Sequence, residues 1–339
     1  MRTWHKVLAV MVVVVFTMGL VVGCGSKAET GQKNEGTATG QETKFKVALL
    51  TEGAVNDGGW NAGALKSLKM IEEQLGAEIA YTEKVPRAQQ EQVLRTYARQ
   101  GFNVIFGHGF QFSEPMQTVA KEFPEVIFIP VNGYVNGDNL FSTNFKFGEL
   151  GYFTGMTAGL MTKSNKIGVV AAMDAPTVNA DIDTFKEGVK KVNEQAEVIV
   201  SYVGSWEDIP KAKEAARAQL SKNVDVVLVI GNAFSIGVFQ AAQDAGAYAI
   251  GWVDDQSSMA PDTVITSGMQ DVSSLYLQMA QLAKDGKLEP GKTYTFGMKD
   301  NNAQSLAPFS SKVPKEVQDQ VQQAIQDYKD GKLVLNLKY

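Results

Sequence analysis

Twice along this chain, short β-rich runs alternate with amphipathic helical patterns, and that alternation leaves few folds open. Strands linked through helices cannot pair as hairpins. They pair in parallel through right-handed crossovers, with helices covering both faces of the sheet. The first series opens at residues 45–50, runs through Leu65, Leu68, Ile71 and Leu75 at helical spacing, and continues with a strand at 77–81. A helix marked by Val93, Leu94 and Tyr97 and strands at 104–106 and 126–129 complete it. After a Gly- and Ala-rich helix over about 149–161 the pattern restarts: strand 166–170, helix 185–192, strand 198–201, helix 212–220 and a buried strand at 226–230.

The expected fold is therefore α/β, with two Rossmann-like lobes, each a parallel sheet flanked by helices, joined by a multi-strand hinge. The halves echo each other, since the strands at 104–106 and 226–230 both end in Gly, a polar residue, a small residue and Phe: Gly107-His108-Gly109-Phe110 and Gly231-Asn232-Ala233-Phe234. Ligands of open α/β sheets bind beyond the carboxyl ends of the strands, so these two loops should face one crevice. The expected division is 45–145 plus 253–287 for the first lobe and 146–252 plus 288–339 for the second, with the run from Tyr248 crossing back toward the first lobe.

Ahead of the lobes, Arg2, His5 and Lys6 precede an apolar run at 7–22 that suits a secretion leader and is short for a membrane span. It ends at Val21-Val22-Gly23-Cys24, which resembles a lipobox, so residues 1–23 read as a leader and Cys24 as a lipidated N-terminus. Cys24 is the single cysteine, which excludes an intramolecular disulfide. Residues 24–44, rich in Gly, Ser, Thr, Gln, Glu and Lys, lack the apolar content to fold and read as a tether.

Composition narrows the function. A net charge of −5 without a concentrated basic face argues against nucleic acid. The two histidines, His5 and His108, with one cysteine, leave no zinc constellation, no cofactor motif and no Ser-His-Asp frame, so a non-enzymatic receptor is expected, most simply a monomer.

The strand-end loops carry the candidate ligand contacts. After the first strand, Asn56-Asp57-Gly58-Gly59-Trp60-Asn61 delivers an aromatic and several polar groups at a helix start; Asp57 would equally serve as a cap, and Trp60 as a core residue. Trp206, in Ser205-Trp206-Glu207-Asp208, mirrors Trp60 from the other half. One aromatic from each lobe would sandwich a flat heterocycle, while Asn56, Asp57, Asn61, His108 and Asn232 read its edge. Phe110 stands in the same loop as His108. Asp255, in Gly251-Trp252-Val253-Asp254-Asp255-Gln256, suits sugar hydroxyls or a hinge, and Lys299 either reaches a ligand or pairs with Asp300.

These motifs, together with Gly148-Glu149-Leu150-Gly151-Tyr152-Phe153 and Lys166-Ile167-Gly168, resemble the basic membrane protein family of lipoproteins, purine nucleoside receptor type, of the periplasmic-binding-protein type I fold. The resemblance implies a substrate-binding lipoprotein of an ABC importer, with a permease as partner and a purine nucleoside or nucleobase stacked between Trp60 and Trp206. It also implies edge contacts from Asn56, Asp57 and Asn61. The sequence departs from the Val-Asp-x-Asp-Gln pattern that holds ribose: aligned on Asp255-Gln256, the earlier Asp is Val253, so only Asp255 carries over and a free nucleobase gains ground. A branch of the same family resembles competence regulators, which implies an alternative role through a protein partner.

Overall fold

A computed structural model describes residues 44–57, 59–231, 233–300 and 302–337; the leader, Cys24, the tether as far as residue 43, and Asn232 lie outside them. Five strands, β1 (Lys46–Thr51), β2 (Glu78–Thr82), β3 (Val104–His108), β4 (Ile127–Val131) and β5 (Thr143–Phe145), open the first sheet. The second is built from β6 (Lys166–Ala171), β7 (Glu197–Tyr202), β8 (Val226–Ile230), β9 (Tyr248–Val253) and β10 (Val264–Gln270). Two late strands, β11 (Tyr294–Phe296) and β12 (Gln304–Leu306), complete them, giving the orders β11-β5-β4-β3-β1-β2 and β12-β10-β9-β8-β6-β7. β12 runs antiparallel to β10, whereas the other pairings, such as Val169↔Leu228 between β6 and β8, are parallel.

Alternation along each strand builds a core on both faces. In β1, Val47 and Leu49 point to one side, where α1 (Trp60–Leu75) supplies Leu68 and Ile71; Ala48 and Leu50 point to the other, toward Leu94 of α2 (Gln90–Arg99) and Met116 of α3 (Ser113–Ala120). In the second lobe α4 (Glu149–Met161) and α5 (Pro176–Val192) cover one face, and α6 (Ile209–Leu220) and α7 (Ser235–Asp244) the other. α4 is apolar nearly all round because it is buried between the sheet and α5. That contact is close: a Cβ added to Gly155 would meet the Phe185 carbonyl at 2.1 Å, and one on Gly188 the Tyr152 carbonyl at 2.0 Å.

The lobe boundaries differ from the expected ones. Tyr248–Val253 does not cross: β9 pairs with β8 and β10 inside the second sheet, so residues 253–270 belong to the second lobe. The chain returns only after Gln270, where the Asp271 carboxylate caps α8 (Val272–Lys284) by accepting from Ser273 and Ser274 N–H, and α8 packs on α1. Residues 294–296, expected in the second lobe, are β11, paired with β5 in the first. Strand pairing overrides chain proximity here, because a short strand such as β11 takes the sheet edge that leaves its amides bonded.

Three crossings, near residues 146, 271 and 300, thus join the lobes, and they are bonded to one another. Lys146 N–H donates to the Phe296 carbonyl at 2.9 Å, and Asp271 N–H to that of Ala303 at 2.8 Å. The buried Glu149 carboxylate accepts from Met298 N–H at 2.6 Å and from the Tyr328 hydroxyl on α9 (Lys315–Lys329). Burial pushes its pKa upward.

Candidate functional site

The carboxyl ends of both sheets open on one cleft of about 630 Å³, within the size range of small-ligand sites. Its lining draws on the loops after β1, β3, β6, β7, β8 and β9, and its floor on Phe147 and Gln270 beside two of the crossings. The lobes come close between two of the lining loops, where a Cβ placed on Gly53 would lie 3.1 Å from Oε1 of Glu207.

Trp60 lines the cleft from the first position of α1. One face of its indole stacks on His108, with centroids 4.1 Å apart and planes 20° from parallel. His108 is 3% exposed and bonded at both nitrogens: Nε2 to the Trp60 carbonyl at 2.9 Å and Nδ1 to the Tyr276 hydroxyl at 2.8 Å. A carbonyl only accepts, so Nε2 carries the proton and Nδ1 accepts from Tyr276. Burial pushes the imidazole down to about 4, which keeps it neutral. The ring is a backing plate for Trp60 and ties it to α8.

The unfolded chain takes up the imidazole proton near pH 6.5 and the folded one only near 4, so acid favours unfolding across that interval. At about 1.4 kcal/mol per pH unit this amounts to about 3 kcal/mol. In denaturant melts the stability advantage of the wild type over His108→Gln at pH 7 should shrink by about that much at pH 4. An advantage constant with pH would contradict it.

Asn61, 5% exposed, also lines the cleft. Its Nδ2 donates to Asp57 at 2.8 Å. The Asp57 carboxylate further accepts from Gly59, Asn61 and Ala62 N–H at 2.9–3.0 Å, so it caps α1, the helix-start role open to it from sequence, and does not line the cleft. Asn56 is exposed and outside the lining. Phe110 lines the cleft after Gly109, which at φ +130° makes the turn that brings it there.

From the second lobe Trp206 lines the same cleft while packing on both of that lobe's cores. Its loop is pinned by Ser205 Oγ, which accepts from Glu207 and Asp208 N–H, and by Asp208, which caps α6. Asp255 and Lys299 are not brought to the cleft. Asp255 is exposed and accepts from Ser257 N–H in a local turn, and the exposed Lys299 ammonium sits 4.3 Å from the Tyr328 ring centroid. Val253 does line the cleft, held at φ +76°, where β-branched residues rarely sit.

Several lining residues were not anticipated: Glu52, Asn132, Thr177, Asp181 and Gln270 among them. The strand-end rule, applied to β4 and β6 as it was to β3 and β8, points to Asn132 and to the loop that starts α5. Asn132 lies at φ +56°, and its buried Oδ1 has no bonded partner among the described residues. Asp181 is 3% exposed and accepts from Gly148 N–H at 2.7 Å.

Paired parallel sheets facing one cleft across a multi-strand hinge define the class of solute-binding proteins of ABC transporters, whose solved members share this fold. The chain belongs to the PnrA-like family of ABC transporter substrate-binding proteins, which it matches over residues 44–334. A purine-binding protein of Brucella abortus is 31% identical, covering 88% of this chain and 85% of its own. The transcriptional activator protein Med of Bacillus subtilis is 29% identical, over 96% and 98%. The crystal structure of a transcriptional activator of the comK gene from Bacillus halodurans is 34% identical, covers 87% of this chain and 100% of its own, and superposes with a TM-score of 0.74.

Proposed function

We propose that this chain is the solute receptor of an ABC importer, anchored outside the cell membrane by lipid on Cys24, and that its ligand is a purine nucleobase or nucleoside held between Trp60 and Trp206. The observation that carries the reading is that indoles from both lobes, Trp60 from the first and Trp206 with Trp252 from the second, line one cleft sized for a small molecule. Trp60 is fixed by a neutral imidazole and Trp206 by a capped loop, so neither ring has to be ordered when a ligand arrives. The purine-binding relative supports the choice of heterocycle.

The charges around the cleft narrow the choice further. Among the described residues, the carboxyl groups of Glu52, Asp181 and Glu207 line it against one cation, Arg87, which already pairs with Glu114 at 2.9 Å. Such a lining suits a neutral ligand rich in N–H and O–H donors and opposes a phosphate. Thermal-shift titration with adenine, hypoxanthine, adenosine, inosine and adenosine monophosphate tests both points. A purine at a hundred times its Kd adds about 2.7 kcal/mol of stability, and the nucleotide should shift the melting temperature least. A panel without any shift would defeat the purine assignment.

A second reading, a tethered regulator working through a protein partner, is favoured by the full-length likeness to Med. Genes for a permease and an ATPase beside this one would favour import.

A further inference from the structure

Among the described residues the cleft has one deeply buried carboxyl, Asp181, which the proposed function counts only among the acidic groups of the lining. Among the described lining residues Glu52, Arg87 and Glu207 are exposed and His108 is committed to two partners, whereas Asp181 is 3% exposed. Much of the second lobe's share of the lining is apolar: Met173, Val178, Ile230, Trp252 and Val253. It projects from the second turn of α5 and accepts from Gly148 N–H at 2.7 Å, with Gly151 N–H also bonded to it. Gly148, at φ +98°, lies on the first crossing and caps α4.

If Asp181 did no more than cap α4, an Asn or Ser would accept the same N–H groups without burying an acid. The burden of burial is visible: it pushes the carboxyl up to about 7, outweighing the two N–H bonds, while Glu149 on α4, the charge that acts on it, pushes the same way. Two accepted bonds leave a carboxylate with lone pairs to spare. A costly acid in a cleft wall, bonded to the hinge on one side, is placed to read a ligand on the other.

We propose that Asp181 is the ligand-reading group of the second lobe, accepting a hydrogen bond from an N–H or O–H donor of the molecule between the indoles and joining that contact, through Gly148, to the hinge. The inference rests on the purine reading and names the group that selects for donors. It places occupancy of the cleft one hydrogen bond away from the segment about which the lobes turn.

The test is isothermal titration calorimetry of the full chain with adenine, hypoxanthine and adenosine at pH 7, in two buffers of different protonation enthalpy. A ligand donor favours the ionised acid, so wild-type binding should release a fraction of a proton. Asp181→Asn should lower affinity roughly ten- to hundredfold, the range for a hydrogen bond to a charged group, and abolish the release. An Asp181→Asn protein that binds within twofold of wild type, or a wild type that releases no proton on binding, overturns the proposal. Should the variant fail to fold, the wild-type proton balance decides alone. A wild type that binds none of the three defeats the purine reading itself, a different result from a wild type that binds and a variant that binds equally well.

Discussion

Trp60→Ala is expected to weaken purine binding at least tenfold while leaving the fold nearly as stable as before. A flat ring stacked on the indole gains the buried apolar area plus about 0.5–1.5 kcal/mol of offset stacking. With about 60 Å² of indole covered at about 25 cal/mol per Å², the whole comes to about 2–3 kcal/mol, or roughly 30- to 150-fold in Kd. The fold loses less, because Trp60 is partly exposed and packs at the margin of the first lobe's core. Titration calorimetry beside a denaturant melt separates the two effects. Unchanged affinity with a large loss of stability would return Trp60 to the core and take the stacking site with it. Trp60→Phe should recover part of the lost affinity, since a smaller ring keeps the face and loses area.

Gly188→Ala should be the most damaging single methyl in the second lobe. The added carbon would lie 2.0 Å from the Tyr152 carbonyl, and backbone cannot turn aside as a side chain would. α4 and α5 must then separate, and the sheet face they cover loses packing along their length. Overpacking of this kind costs about 1–3 kcal/mol, and a clash with backbone belongs at the upper end. At about 2–4 °C per kcal/mol for a domain of this size, calorimetry should find the melting temperature down by roughly 6–12 °C. Gly76→Ala is the control: Gly76 ends α1 at φ +64° with nothing within 4 Å, so only backbone strain of about 1–2 kcal/mol is at stake. Equal losses would mean the helices yield easily.

How far the sequence discloses this protein varies with the physics involved. Periodicity exposes β1, β3, β6 and β8 because strands buried on both faces must be apolar throughout, as Val226 to Ile230 are. It exposes α4 through its glycines, which only close helix contact requires. It does not disclose which sheet a short late strand joins, because Tyr294–Phe296 and Gln304–Leu306 carry three residues each and their placement is settled by open edges elsewhere.

The cleft follows the same division. Trp60, Asn61, His108, Phe110 and Trp206 stand where strand ends put them. Asp57 and Asp255 look like ligand groups from their composition alone, yet Asp57 is taken up by the amides that start α1, and Asp255 stands exposed in a local turn outside the cleft lining. Asp181 goes unseen for the opposite reason: it lies inside a helix, and only the packing of α5 on α4 turns it toward the cleft.

The two late strands have a bearing on biogenesis. Until residues 294–306 have been synthesised, β5 and β10 each present an unpaired border, and neither half can finish its sheet on its own. A nascent chain would hold both halves incomplete almost to its last fifty residues and then settle them nearly together. Cutting the gene ahead of β11 should therefore yield two defective halves prone to aggregate, rather than one sound half and one missing piece.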